Sequence, residues 1–281
     1  MRDPIPLTPV DRRRELRADC SRCVGLCCVA LAFARSADFA FTKDAGEPCV
    51  NLEEDYRCVI HPELRERGFK GCTVFDCFGA GQKVTQHTDG GASWRDDADI
   101  RASMFAVFPV VRQLQELLWY LADAAGRPEA APLKNDLERA YGETEALTTA
   151  SPDEIRALDV DAYQGTLTGL LRQASALVRE GTGTSEAARR LEPGVDLMGA
   201  HLAGQDLRGA HLRGAWLIAA DLRSADLSNA DVLGADFRDA ELGGATMQDA
   251  LYLTQFQVNA ARGDDLTVLP ESVTRPSHWR R

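Results

Sequence analysis

From Val195 to Thr254 the sequence advances in steps of five. A large side chain recurs at Leu197, Leu202, Leu207, Leu212, Leu217, Leu222, Leu227, Val232, Phe237, Leu242, Met247 and Tyr252. Two positions before each of these centres stands a small one, alanine in ten of the twelve units, with Val195 and Gln205 as the exceptions. Amphipathic strands need a period of two, and helices and heptads need 3.6 or 3.5, so none of these produces the pattern. A short fixed period is the mark of a stacked repeat. One large and one tiny side chain per five residues suits the inward corner of a narrow solenoid.

Units such as Ala225-Asp-Leu-Ser-Asn229 and Ala235-Asp-Phe-Arg-Asp239 resemble the pentapeptide-repeat family. That resemblance implies a right-handed quadrilateral β-helix with four pentads per turn. Twelve pentads would then make three turns, a rod on the order of 14 Å long at a rise of ~4.8 Å. Residues twenty apart should stack, with Leu202, Leu222 and Leu242 in one column and Leu207, Leu227 and Met247 in another. Outward columns would hold Asp206 with Asp226, and His201 with Asp221 and Glu241. Trp216 should be an exposed aromatic between Asp196 and Asp236. Such a scaffold serves unrelated activities, so the resemblance speaks to fold and leaves function open. Some relatives with long acidic rods mimic DNA. This rod is short, and its four basic and ten acidic residues over 191–260 give it a modest negative charge.

The chemistry-bearing residues lie elsewhere. All eight cysteines fall at Cys20, Cys23, Cys27, Cys28, Cys49, Cys58, Cys72 and Cys77. The opening Met1-Arg-Asp-Pro-Ile-Pro-Leu lacks the apolar core of an export signal, and thiols in the cytosol stay reduced. Metal ligation is therefore the favoured reading, over buried thiols serving as small hydrophobes or a stress-induced disulfide switch. In Cys20-Ser-Arg-Cys23 two thiolates can converge on one ion while the turn offers backbone N–H groups to the sulfurs. The remaining cysteines could complete one multinuclear site or two four-ligand sites. His61, three positions after Cys58, is a candidate ninth ligand; His87 is a weaker one. Gly79-Ala-Gly81-Gln-Lys83 has the glycines of a phosphate loop without its full pattern or its Ser/Thr, and is set aside.

The order Cys20-x2-Cys23-x3-Cys27-Cys28, Gly46-Glu-Pro-Cys49-x8-Cys58-x-Ile60 and Cys72-x4-Cys77 resembles the zinc- or iron-chelating cysteine-cluster family (YkgJ-like). This chain has one extra residue before the cysteine pair, His61-Pro62 where the family often has a tyrosine, and Gly71-Cys72-Thr73 where it often has Cys-Arg. The resemblance covers about residues 16–90 and implies metal binding without an established reaction.

Between the two lies a segment of helical period. Ile100, Met104, Phe108, Val111, Gln115 and Leu118 share one face, widened by Leu114, Leu117 and Leu121. Asp96, Asp97 and Asp99 suit the positive end of a helix, Gly126 suits its C-terminus, and Pro109 predicts a kink or a split. A second helix is predicted over 132–147. Ser151-Pro-Asp-Glu154 reads as a capping box, and a longer helix is predicted over 161–180. Phe105, Phe108, Trp119 and Tyr120 read as core residues.

The whole predicts an α+β multidomain chain. A Cys-rich metal-binding module occupies 16–95, an α-helical middle 96–190, a pentapeptide-repeat solenoid of right-handed quadrilateral β-helix type 191–260, and a tail 261–281. The endings Leu253-Thr-Gln255 and Arg275-Pro-Ser-His-Trp279 resemble those of chains that join a cysteine module to such an array. The expected function is a cytoplasmic protein binding Zn or Fe, an iron–sulfur cluster included, with the repeat as a platform for a protein partner. The alternatives are a metalloenzyme with an open position at the cysteines, and an interaction protein, DNA mimicry included, whose metal only holds the fold. A net charge of −11 speaks against direct nucleic-acid binding. No apolar run approaches the roughly 20 residues of a membrane span.

Overall fold

The computed structural model describes residues 12–88 and 90–279. Three short helices sit in the cysteine region: α1 (Leu26–Val29), α2 (Lys70–Val74) and α3 (Ala80–His87). A helical layer follows, with α4 (Ala98–Ala125), α5 (Lys134–Leu147), α6 (Pro152–Ala157), α7 (Val160–Glu180) and α8 (Glu186–Arg189). After the repeat comes α9 (Gln255–Ala260).

The helix ends follow side-chain chemistry. Asp97 caps α4 by accepting from Asp99 and Ile100 N–H, and Gly126 closes its other end. Ser151 and Glu154 form the capping box of α6. Pro109 does not split α4, which runs through it for 28 residues. The ring lies on the exposed side, where the carbonyl one turn earlier, deprived of its amide partner, can meet water.

The repeat is a stack of single-residue parallel bridges twenty positions apart, rather than long strands. Four ladders run along it: Asp196–Trp216–Asp236, His201–Asp221–Glu241, Asp206–Asp226–Thr246 and His211–Asp231–Leu251. Four ladders at a spacing of twenty mean four pentads per turn. Each corner closes with a bond from the alanine N–H back to the preceding centre, as in Ala225 to Leu222 at 3.0 Å. The residue two after most centres has positive φ, the requirement of a type II turn. Glycine supplies it at Gly204, Gly214 and Gly234, while Ala219, Ser224, Asn229 and Asp239 adopt it at some cost. Inside, Leu222, Leu242, Leu207, Leu227, Met247 and Phe237 are buried, and the alanines from Ala210 to Ala250 leave room for them. Leu197 and Leu202, at the open first turn, are only half-buried.

The tail is not separate from this ladder. Arg262 bridges Glu241 and Val268 bridges Thr246, adding rungs at spacings of 21 and 22. Gln257 donates to the Val232 and Ala235 carbonyls, and Thr267 to that of Leu242, so side chains satisfy the end of the stack. Trp279 is buried over Gly263, where an added Cβ would come within 2.4 Å of the ring.

The helical layer covers one side of the solenoid. Trp119 Nε1 donates to Leu253 O at 3.0 Å, the Tyr252 hydroxyl to Leu171 O at 2.8 Å, and Ser175 Oγ to Asp231 at 2.6 Å. One apolar cluster runs from Leu114, Leu118 and Leu121 through Leu171 into the stacked leucines. A second joins Val24, Leu26, Val29, Val84 and Trp94 to Met104, Val107, Phe108 and Val111. Helix α4 therefore serves two cores: its first half holds the cysteine region and its second half the rod.

Candidate metal centre

The cysteine region has little regular structure, and its shape follows from turns. Asp19 caps a 3-10 turn over Cys20–Arg22. Gly25 then turns the chain with φ +72°, where a Cβ would strike Leu52 at 2.9 Å, and starts α1. Helix α1 carries Cys27 and Cys28, whose sulfurs lie 3.9 Å apart. Cys49 is tied to this helix by its N–H, which donates to Cys28 O at 3.0 Å. Cys58 follows from the antiparallel bridge Leu52–Cys58. Cys72 lies on α2, and Cys77 precedes the turn into α3. Gly81 on α3 packs so closely that a Cβ would come within 2.6 Å of Cys23 Sγ.

All eight cysteines are free thiols, with Cys20 and Cys72 exposed and the others half-buried. Their mutual influence divides them at the adjacent pair. Burial raises the Cys23 thiol, and Cys77 raises it further. Cys27 is held well above its ordinary value by its bond to Cys28 and by burial, with Cys28, Cys77 and Cys23 adding to this. On the other side, partial desolvation of its sulfur pushes Cys72 up to about 12 although the residue is exposed, with Cys28, Cys49 and Cys58 contributing. Cys58 is raised by burial and by Cys28 and Cys49. Cys20 is raised by burial, Cys23 and Cys28, so it borders both groups. The sulfurs also receive backbone N–H bonds, from Gly25 and Leu26 at Cys23, Ile60 at Cys58, and Gly79 and Gly81 at Cys77. Such donors favour the thiolate, the form that binds metals.

Among the described residues, no three His, Cys, Asp or Glu side chains are drawn into a set that could hold one ion. The thiols share a region and suitable donor chemistry without being gathered around one point. His61 stands exposed at the head of a 3-10 turn, its N–H donating to Cys58 O at 3.1 Å. It lines a cleft together with Cys72. His87 is the last residue of α3. The outward column His201, Asp221 and Glu241 is an ordinary ladder, with Asp221 paired to Arg223 at 2.6 Å.

Lys43 escapes sequence reasoning. It is 4% exposed, and its ammonium donates to the carbonyls of Val29, Asp44 and Glu47 at 3.2, 2.9 and 2.8 Å. Its charge acts on Cys28 and Cys49, and Cys28 is lowered by its bond from Cys27 and by Lys43. A single lysine between Thr42 and Asp44 gives no signal of this in the sequence.

The model of the family described as pentapeptide repeats matches residues 196–231 and 217–251. An uncharacterized protein of Bacillus subtilis (strain 168), YybG, is 54% identical over 266 residues, which is 95% of this chain and 95% of that protein. Two solved structures are also similar to part of the chain. One is a pentapeptide repeat protein, Rfr23, from the cyanobacterium Cyanothece 51142, at 26% identity and a TM-score of 0.20, covering 26% of this chain and 63% of that one. The other is a pentapeptide repeat protein from the Arabidopsis thaliana thylakoid lumen, at 25% identity and a TM-score of 0.17, covering 33% and 66%. This chain thus spans less than two thirds of either solved structure. No helix among the described residues is long and apolar enough to cross a membrane.

Proposed function

The chain belongs to the pentapeptide-repeat proteins, in the family of YybG, and from that premise we propose that it is a metal-binding protein whose solenoid is a platform for a protein partner. The observation that carries this is the gathering of eight free thiols in a region that supplies backbone N–H donors to Cys23, Cys58 and Cys77. Clustered thiols, most of which raise a neighbour's proton affinity, resist becoming thiolates together, and a bound cation removes that resistance. Cys20, Cys23, Cys27 and Cys77 would form one set and Cys28, Cys49, Cys58 and Cys72 the other. Zn or Fe suits sulfur ligands of this kind, and an iron–sulfur cluster uses the same donors. His61 is the outlying candidate. When bound, the metal would supply cross-linking of these turns, and a reducing compartment such as the cytoplasm would keep the thiols available.

The rod's carboxylates support a platform over DNA mimicry. Asp206 is paired with Arg208 at 2.8 Å, Asp236 with Arg238 at 2.6 Å, and Asp231 with Arg213 at 2.9 Å. Carboxylates neutralised by their own neighbours make a poor substitute for a row of phosphates. Trp216 is 54% exposed between Asp196 and Asp236, in a position to anchor an apolar contact.

The test is metal analysis with an absorption spectrum on protein purified without oxygen. Stoichiometric Zn or Fe is expected. Cys23→Ser with Cys77→Ser, and separately Cys49→Ser with Cys58→Ser, should each remove about half if there are two independent sites. Loss of all metal from either pair indicates one multinuclear site. Substoichiometric metal in the wild-type protein overturns the reading.

A further inference from the structure

A cation is buried among the cysteine-bearing turns. Lys43 is 4% exposed, and its backbone pairs with that of Phe33 in both directions, at 2.8 and 2.9 Å. The Phe33 ring lies 5.6 Å from the ammonium, so the side chain has a fixed place. Its three donors divide between two segments that carry cysteines. Val29 O, at 3.2 Å, ends helix α1 directly after Cys27 and Cys28. Asp44 O and Glu47 O, at 2.9 and 2.8 Å, belong to the loop that leads to Cys49. Gly46 N–H also donates to Val29 O at 2.9 Å, and Cys49 N–H to Cys28 O at 3.0 Å. The loop therefore lies along the end of the helix, with the ammonium bonded to both.

Three carbonyls satisfy the hydrogen bonds of an ammonium, but they are neutral and leave its charge uncompensated. Among the described residues no carboxylate forms an ion pair with Lys43. Burial lowers the proton affinity of the ammonium, and the groups that oppose this are Cys49 and Cys28 first, then Glu47 and Asp44. A buried charge without a counter-ion is costly, and an apolar side chain often fills such a space at less cost. The neighbouring thiols offer no charge while they hold their protons. Bound to a divalent metal they do: an ion held by four thiolates keeps two negative charges in excess, a surplus that a nearby cation stabilises.

We propose that Lys43 is the fixed counter-charge of the Cys28 and Cys49 side of the metal site, a positioning residue that favours all-thiolate coordination of a divalent ion there. This assignment rests on the metal-binding reading above. The hydrogen bonds of Lys43 hold the two cysteine-bearing segments together, and its charge lowers the cost of collecting thiolates beside them. The Cys20 and Cys77 thiols meet the opposite field: burial raises both, and the carboxylates of Asp19 and Asp76 beside them add to this. Loss of Lys43 should therefore be felt on one side of the site and not on the other.

The test is titration of the metal-free full chain with cobalt(II) in the absence of oxygen, read by the thiolate-to-cobalt absorption band. Lys43→Met should weaken binding roughly tenfold in the part of the uptake that Cys49→Ser with Cys58→Ser also removes. The band intensity per bound ion at saturation should not change, because the ligands are intact. Lys43→Arg keeps the charge and should keep most of the affinity. Melting temperatures separate charge from scaffolding. Loss of hydrogen bonds alone lowers the metal-free and loaded forms together, whereas loss of the counter-charge narrows the gap between them. If Lys43→Met does not fold, Lys43→Gln, which is uncharged but can still donate to a carbonyl, is read in the same way. Uptake by the wild type that is equally tight in the uncharged variants overturns the role of Lys43 alone, as does Lys43→Arg binding as weakly as they do. No uptake by the wild type overturns it together with the site it serves.

Discussion

The backbone N–H of Tyr252 donates to a carboxylate oxygen of Asp123 at 2.6 Å, fastening the last pentad to the long helix α4 from within the core. The other oxygen receives Arg13 at 2.7 Å and Arg127 at 2.9 Å. Asp123 is 1% exposed, so its charge is held by these partners and not by water. Removing one member of a buried pair leaves the others uncompensated, at a cost of about 3–5 kcal/mol. Asp123→Ala should lose stability on that scale in urea denaturation, and Asp123→Asn, which keeps the shape, should lose less. A cost below ~1 kcal/mol for Asp123→Ala would mean that helix and rod do not share this anchor.

The leucine columns should show their position in the stack. Leu222 is fully buried between turns, whereas Leu202 in the first turn is half-exposed. Leu222→Ala should cost about 2–5 kcal/mol through lost transfer energy and the cavity left behind. Leu202→Ala should cost no more than about half of that, because water already reaches it. Equal costs in chemical denaturation would contradict the open first turn.

The corners give a cleaner test of backbone strain. Gly214 has φ +65° with nothing within 4 Å of where a Cβ would sit. Gly214→Ala therefore isolates the conformational penalty, about 1–2 kcal/mol. Ser224 holds φ 56° without glycine's freedom, so Ser224→Gly should be neutral or stabilising by up to about 1 kcal/mol. Thermal melting that moves the two variants in the same direction would rule out this account of the turns.

Alkaline stability should separate metal-free from metal-loaded protein. The folded metal-free chain holds the Cys72 proton up to about 12, against an ordinary 9.0, chiefly through partial desolvation of a thiol on an exposed residue, with Cys28, Cys49 and Cys58 adding to it. The folded state therefore binds more protons than the unfolded one above pH 9, and stability present below 9 is lost as pH rises towards 12. Metal-loaded protein, with its thiols already deprotonated, should lack this decline. The measurement is the melting temperature of the two forms across that range; parallel curves would exclude Cys72 from the site.

What the sequence discloses depends on how locally each feature is determined. Every corner of the rod needs its own leucine and alanine, so the stacking of Leu222 on Leu242 and the exposure of Trp216 could be read from spacing alone. The helix caps at Asp97 and Ser151 are equally local. The tail was not legible as part of the ladder, because Arg262 and Val268 pair at spacings of 21 and 22 and abandon the five-residue register. Lys43 gave no signal, since its role depends on three carbonyls that only the folded loops bring together. The cysteine positions suggested a shared site, but which thiols neighbour one another depends on the folded turns that bring Cys49 beside Cys28 and Cys23 beside Gly81.

The double role of α4 changes what metal removal should do. The five-residue repeat alone suggests a core that survives from about Leu191 onward. In the structure, Leu114, Leu118 and Leu121 pack into the same cluster as Leu171 and the stacked leucines, so the helices should survive with the rod. The cysteine region has a smaller core, and it depends on Met104, Val107, Phe108 and Val111 from the first half of α4. A structural metal can contribute roughly 10–16 kcal/mol of apparent binding energy, enough to account for the folding of a module of that size. Chelation followed by limited proteolysis should remove residues up to about Arg95 and leave a fragment starting between Ala98 and Pro109. The variable start reflects fraying of the part of α4 that loses its partner, with Pro109 as the weak point of the helix. Mass spectrometry of the protected fragment decides the matter. A start near Leu191 would show that the helices depend on the cysteine region, and uniform digestion would show that the chain unfolds as a single unit.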